Sequence, residues 1–174
     1  MFFKRNPKYL EMKYTQLATA IEYESTIDFY KGTKNLYRDK RYGYIYDVID
    51  VDDHIHIVIK HYHYTFESSW SIVLHYISCH TKMYLDGICV NQYEFEKELR
   101  QGYTTTDIWM LDSKKIYHKI PNEVIQKIND WSEQVVNRKM RQKELQKKKK
   151  DEEKQKKFFQ EESQLQETYK NYKM

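Results

Sequence analysis

Two neighbouring segments, residues 42–51 and 54–66, alternate along much of their length between apolar side chains and polar or aromatic ones. Such alternation is typical of β-strands, because successive side chains of a strand point to opposite faces of a sheet. Asp52 and Asp53 separate the segments, and aspartate favours turns. The sequence therefore predicts an antiparallel hairpin, and the fold has to cover at least one face of it.

The register of this first hairpin follows from the position of its turn. If the two aspartates form the turn, Val48 pairs with Ile57. Tyr46 then pairs with Ile59. The face predicted to be core consists of Tyr44, Tyr46, Val48, Ile55, Ile57 and Ile59. The opposite face is mixed, with Asp47, His54, His56 and Lys60 among Ile45, Ile49, Val51 and Val58.

A second hairpin is predicted around Asp86-Gly87, because both residues tolerate the positive φ that a two-residue turn requires. Its strands are expected to span residues 70–85 and 88–93. The predicted apolar face consists of Val73, Ile77, Met83, Leu85, Ile88 and Val90.

The same hairpin bears on the two cysteines, Cys79 and Cys89. It pairs Tyr84 with Cys89 and Leu85 with Ile88, which leaves Cys79 on the opposite face of the sheet. We therefore expect two free thiols that act as small buried hydrophobes in a reducing compartment.

Helical spacing of apolar residues occurs before and after these hairpins. An amphipathic helix over about residues 8–30 is predicted from Leu10, Tyr14, Leu17 and Ile21, and Gly32 would end it. A short helix is expected to begin with Asn91 as its cap, to end near Gly102, and to bury Phe95 and Leu99. The segment 104–120 is ambiguous, and residues 107–111 are a candidate strand.

A further helix is predicted to start at Pro121-Asn122, with Asn122 as its cap and Glu123 in its first turn. Its apolar positions are Val124, Ile128, Trp131 and Val135. No glycine or proline follows, so the helix is able to continue for many turns. Extending its apolar seam in sevens meets mostly polar residues, which argues against a homodimeric coiled coil.

These elements predict an α+β fold. We expect an antiparallel β-meander of about four to five strands, with an N-terminal helix and further helices packed on it, and a long charged C-terminal helix. The chain has only four glycines and two prolines and contains no G-x-G or G-K-[ST] motif. The glycine-rich loops that bind nucleotide phosphates are therefore absent from the sequence.

Charge divides the chain into two predicted regions. Residues 1–137 carry 17 Lys and Arg against 19 Asp and Glu, whereas residues 138–174 carry 13 against 7. We predict an α+β globular domain over 1–137 and a basic Lys/Glu/Gln-rich tail over 138–174 that is either an extended helix or disordered. Contact with nucleic acid or an acidic partner is expected from Arg138, Lys139, Arg141, Lys143, Lys147, Lys148, Lys149 and Lys150.

The leading functional hypothesis is a non-catalytic binding or assembly protein that acts on a nucleic acid or a nucleoprotein complex. Exposed tyrosines would anchor an interface or stack on bases, and the tail would attract phosphates. No cofactor is expected under this hypothesis. The composition, rich in Lys, Ile and Tyr, is typical of small proteins from AT-rich genomes, including those of phages and mobile elements.

Four of the seven histidines lie between His54 and His63, which raises the alternative of a metal site. His54 and His56 share one face of the predicted strand, and Asp47 is expected diagonally opposite. Two imidazoles and a carboxylate suit Zn²⁺, Mn²⁺ or Mg²⁺. Strand alternation sends His61 and His63 to the other face.

The motif His54-Ile55-His56, repeated as His61-Tyr62-His63, resembles the His-hydrophobic-His motif of HUH endonucleases. In that family, the histidine pair binds a divalent metal that polarises a scissile phosphate, and a tyrosine on a nearby helix attacks it. The resemblance implies a metal-dependent phosphodiester enzyme with His54 and His56 as ligands and Tyr93 as nucleophile.

The segment His63-Tyr64-Thr65-Phe66 is similar to the His-apolar-Thr-apolar element of 2H phosphoesterases. Two such elements act together in that family as acid and base on a phosphodiester, and the sequence holds no second copy.

The chain has no apolar run of eighteen residues and no signal-peptide pattern. We therefore expect a soluble, intracellular, cytoplasmic protein without a membrane partner. The sequence leaves its oligomeric state open.

Overall fold

The computed structural model describes residues 10–25, 45–67, 73–99 and 109–173. Two helices and five strands follow one another along the chain. They are α1 (Tyr14–Glu24), β1 (Ile45–Asp50), β2 (Ile55–Glu67), β3 (Val73–Leu85), β4 (Ile88–Leu99), β5 (Met110–Ile116) and α2 (Asn122–Tyr172).

The strands form one sheet in the order β1-β2-β3-β4-β5, and every neighbouring pair is antiparallel. This is a meander, because each strand pairs with the next one in the chain. The predicted α+β class is confirmed, as are the meander of about five strands, the N-terminal helix and the long C-terminal helix.

The predicted register of the first hairpin is wrong by one residue. Val48 pairs with Val58 rather than Ile57, and Tyr46 pairs with Lys60. The connection is longer than a two-residue turn: Asp52 Oδ1 accepts hydrogen bonds from the backbone N–H groups of His54 and Ile55, both at 2.8 Å. An extra residue in the turn exchanges the two faces of β1, because side chains alternate along a strand.

The inner face of the sheet therefore differs from the predicted one on β1 but not on β2. Ile55, Ile57 and Ile59 are buried as expected. Tyr46 and Val48, predicted to be core, are 64% and 57% exposed on the outer face, and Ile49 is buried in their place. Tyr44 lies outside the described residues.

The second hairpin has the predicted turn. Asp86 and Gly87 have φ values of 48° and 79°, and Leu85 pairs with Ile88. Tyr84 pairs with Cys89, and both cysteines are free thiols. A bulge after these pairs leads to the pairing of Met83 with Asn91.

Two details of this hairpin differ from the prediction. Ile88 is 59% exposed rather than core, because it lies beside the turn at the end of the strand. The helix expected to begin at Asn91 is absent, since β4 continues as a strand to Leu99. Phe95 is buried on that strand, while Gly102 and the side chain of Leu99 lie outside the described part.

The last strand, β5, begins at Met110 and so overlaps the candidate strand 107–111 only at its end. Trp109, just before it, is 3% exposed and belongs to the core. Residues 101–108 lie outside the described part.

The inner face of the sheet is covered by α1 and by the first turns of α2. Leu17, Ala18 and Ile21 of α1 join the same core cluster as Ile57 and Ile59, together with Ile128 of α2. Each fully buried isoleucine or leucine contributes about 1.5–3 kcal/mol of transfer free energy. The predicted helix extends further than the observed one, and its expected end at Gly32 lies outside the described residues.

Polar contacts fix α1 against α2 within this core. Asn129 is 5% exposed, and its Oδ1 accepts the backbone N–H of Lys13 at 3.0 Å. Gln16 Nε2 donates to Ser132 Oγ at 2.8 Å. These bonds satisfy polar groups that would otherwise be costly to bury.

The chain divides into two compact units, 1–136 and 137–174. The first contains the sheet, α1 and the start of α2, and the second contains the remainder of α2. Within the described residues, no helix is both long and apolar enough to span a membrane.

Candidate functional site

The two histidines of the predicted metal site each contact a different carboxylate. His56 Nδ1 lies 2.6 Å from Asp50 Oδ1, and its Nε2 lies 3.3 Å from the carbonyl oxygen of Asp53. His54, just before β2, has its Nδ1 2.6 Å from Asp86 Oδ1. The hydrogen bond to Asp50 raises the pKa of His56 above its ordinary value. Both ring nitrogens of His56 therefore contact residues at the turn end of the β1–β2 hairpin.

The third predicted ligand is elsewhere. Asp47 pairs with Ile59, and its Oδ2 accepts a hydrogen bond from Ser25 Oγ at 2.8 Å. The change in register places Asp47 and His56 on opposite faces of the sheet, so the structure does not bring the proposed ligands together. Among the described residues, no three His, Cys, Asp or Glu side chains form a group suited to a metal ion.

Tyr93, the nucleophile implied by the HUH resemblance, lies on strand β4 and not on a helix. It is fully buried on the inner face, where its ring centroid lies 5.1 Å from that of Tyr14. Asn91 Nδ2 donates a hydrogen bond to its hydroxyl. Burial raises the pKa of the Tyr93 phenol. These surroundings stabilise a neutral phenol in the core and argue against a nucleophilic role.

The second histidine motif of β2 is His61-Tyr62-His63, and its first histidine lies in the core. His61 is 5% exposed and lies on the same face as Ile57 and Ile59. His63, Tyr64, Thr65 and Phe66 belong to β2, but their side chains lie outside the described part, so the similarity to 2H phosphoesterases stays a prediction.

The outer face of the sheet carries tyrosines, of which Tyr46 is exposed and Tyr84 is partly buried. Tyr46, Lys60, Lys82 and Tyr84 line a hollow of about 410 Å³ on this face. Flat rings beside ammonium groups are able to contact planar or anionic partners. The same tyrosine, Tyr46, was predicted to be core, so the one-residue change in register also decides what this surface presents.

The predicted basic contact residues lie on α2. Lys139 is partly buried, and the other seven are exposed: Arg138, Arg141, Lys143, Lys147, Lys148, Lys149 and Lys150. Three further exposed lysines, Lys154, Lys156 and Lys157, continue the basic region. Between Arg138 and Lys157 the helix carries eleven basic and four acidic residues.

Five of the exposed lysines follow one side of the helix, and we call them the lysine stripe. They are Lys143, Lys147, Lys150, Lys154 and Lys157, spaced by four, three, four and three residues. At 100° per residue they fall within an arc of about 80°, and at 1.5 Å per residue they span about 21 Å. No Asp or Glu between residues 143 and 157 falls within that arc. The sequence prediction found these charges but not their alignment, which the spacing alone would have revealed.

Sequence reasoning also missed a buried ion pair in the first unit. Lys97 of β4 is 3% exposed, and its Nζ lies 3.3 Å from both carboxylate oxygens of Glu22 in α1. Trp109 Nε1 donates to Glu22 Oε2 at 2.7 Å. The three residues are far apart in sequence, and nothing local in the chain identifies them as partners.

Comparison of the chain with protein-family models, with curated proteins and with solved structures finds no match.

Proposed function

We propose that this protein is a non-catalytic nucleic-acid-binding protein that contacts the phosphate backbone through α2. The observation that carries the proposal is the lysine stripe, a row of five exposed ammonium groups on one side of a continuous helix. Lysine binds phosphate as a mobile point charge, and a contact to phosphate carries no information on base sequence directly. We therefore expect binding that depends on charge and geometry and is independent of base sequence.

The charge of the second unit supports this proposal. Residues 137–174 carry thirteen Lys and Arg against seven Asp and Glu, whereas the first unit has a slight acidic excess. Neutralising phosphates releases condensed counterions, so the logarithm of the binding constant falls with the logarithm of salt concentration by about 0.9 per phosphate contacted on a duplex. Five contacts predict a slope of about −4.5.

The test measures fluorescence anisotropy of the full chain with a labelled mixed-sequence DNA duplex over a series of KCl concentrations. In the stripe variant, all five stripe lysines are replaced by Gln. In the matched control, five exposed basic residues from the same region but outside the stripe are replaced by Gln: Arg138, Arg141, Lys148, Lys149 and Lys156. Both variants lose five positive charges from the same helix.

We expect the stripe variant to lose most of the salt dependence and the control to keep most of it. Equal losses in the two variants would contradict a defined contact face, and no binding by the unaltered chain at low salt would refute the proposal. A parallel titration measures the direct binding of labelled polyglutamate to the chain, because an acidic protein partner would be attracted to the same charges. Tighter binding of polyglutamate than of the duplex would favour that partner instead.

A further inference from the structure

A pocket of about 360 Å³ lies in the first unit. Tyr93, the nucleophile implied by the HUH resemblance, is among its lining residues, whereas the predicted metal ligands His54, His56 and Asp47 are not. Its apolar wall includes Leu10, Met12, Ile116 and Ile125, so the end of β5, the start of α2 and the residues before α1 all contribute. Pockets of about 300–1,000 Å³ with apolar walls and a few polar groups are typical of small-molecule sites.

One polar group in this pocket lacks a partner. Asn91 lines the pocket and is 3% exposed, and its Nδ2 donates to the Tyr93 hydroxyl. Its Oδ1 is buried and accepts no hydrogen bond within the described structure. Burying an acceptor without a donor opposes folding, so such groups are uncommon unless another molecule supplies the donor.

Charged side chains also line the pocket: the ammonium groups of Lys114 and Lys119 and the carboxylate of Glu11, which together carry a net positive charge. Lys114 of β5 lines it and is exposed, with its Nζ 5.3 Å from the ring centroid of Tyr14. Lys114 pairs with Tyr93 across the sheet, and its neighbour Lys115 pairs with Gln92. Because side chains alternate, Lys115 points to the outer face and does not line the pocket.

We infer that this pocket binds a small amphipathic organic acid. The apolar body of the ligand lies against the isoleucine, leucine and methionine wall, an O–H or N–H group donates to Asn91 Oδ1, and the acidic group pairs with the Lys114 ammonium. The site is separate from the lysine stripe, so this inference does not depend on the proposed nucleic-acid function.

The inference is tested by calorimetric titration of the full chain with two probes, 6-hydroxy-2-naphthoate and 6-methyl-2-naphthoate. The probes share an aromatic body and a carboxylate, and they differ in a hydroxyl donor against a methyl group of similar size. We expect one site per chain and a preference for the hydroxyl probe of roughly fivefold, the usual worth of one neutral hydrogen bond.

Three variants separate the contacts. Asn91→Leu, with its fold checked by circular dichroism, is expected to abolish the preference between the probes while both still bind. Lys114→Gln is expected to weaken both probes by roughly fivefold or more, since it removes the paired charge. Lys115→Gln, the matched control on the opposite face, is expected to leave both affinities within twofold.

Absence of saturable binding by either probe would overturn the inference. So would equal affinity of the two probes for the unaltered chain, or equal losses in the Lys114 and Lys115 variants. The nucleic-acid titrations are unaffected by any of these results, so the failure of one proposal is distinguishable from the failure of the other.

Discussion

At the scale of single residues, His56 illustrates how a carboxylate neighbour changes a histidine. Asp50 lies 2.6 Å from its Nδ1, and this hydrogen bond is the main cause of the raised pKa. A histidine whose pKa is higher in the folded than in the unfolded chain stabilises the fold at low pH. That contribution is complete below the unfolded value of about 6.5 and is lost as pH rises through the folded value.

We expect NMR titration of the His56 ring resonances to give a pKa above 6.5. Asp50→Asn removes the charge and keeps the shape of the side chain, so it should return the pKa towards 6.5. A pKa that does not change between the two proteins would show that Asp50 is not the partner. The experiment also tests the observed register, because Asp50 pairs with His56 only in that register.

At the scale of secondary-structure elements, the Glu22–Lys97 ion pair joins α1 to β4 inside the core. Lys97 Nζ lies 3.3 Å from the carboxylate, and the lysine side chain is 4% exposed. Removing one partner leaves an uncompensated buried charge, which typically costs about 3–5 kcal/mol, whereas removing both charges costs far less. The intact pair therefore adds little net stability over two neutral side chains, whereas the loss of one partner is costly.

We expect Lys97→Met to lower the free energy of unfolding by about 3–5 kcal/mol, measured by urea denaturation. The double variant Glu22→Gln/Lys97→Met should recover most of this loss, because Gln is neutral and its Oε1 still accepts the hydrogen bond from Trp109 Nε1. A double variant as unstable as the single one would indicate that packing around Lys97, and not the charge, determines the loss.

The same elements show what sequence reasoning was able to predict. Alternation located β2, and Asp86-Gly87 located the second turn with its pairing, because both signals are local. The β1 register was wrong because Asp52 forms side-chain hydrogen bonds that lengthen the turn, a choice that the alternation of β1 and β2 does not reveal.

The start of β4 was predicted as a strand, but its continuation from Asn91 was predicted as a helix for a related reason. Asn91 and Lys97 are polar residues at its inward positions, so the apolar alternation is interrupted. Lys97 is buried beside Glu22, which is distant in sequence. Asn91 is buried beside a pocket whose other lining residues come from several elements. The same distinction between local and distant information applies to the candidate sites. The basic residues of α2 were recognised because they are concentrated in one segment of the sequence. The predicted metal ligands were not brought together, because their placement required the correct register.

Helix α2, which spans 51 residues, is buried on one face near its start and exposed over the rest of its length. Ile128, Ser132 and Val135 are buried near its start, whereas residues 143–173 are all exposed. Most helical stability in proteins comes from packing of one face, and an exposed helix relies on intrinsic propensity and on pairs of side chains three or four residues apart. One continuous helix should therefore contain a strongly protected and a weakly protected part.

We expect hydrogen exchange followed by mass spectrometry to show slow exchange in peptides from residues 122–136 and fast exchange in peptides from 143–172. Uniform protection along α2 would contradict this and would indicate that the exposed part is covered in solution, for example by self-association. Saturating DNA duplex should slow exchange around residues 143–157 in the unaltered chain, because bound phosphates hold the stripe lysines and oppose local opening. The variant without the stripe lysines should lack this effect and the matched control should retain it, which links the local stability of the helix to the proposed contact.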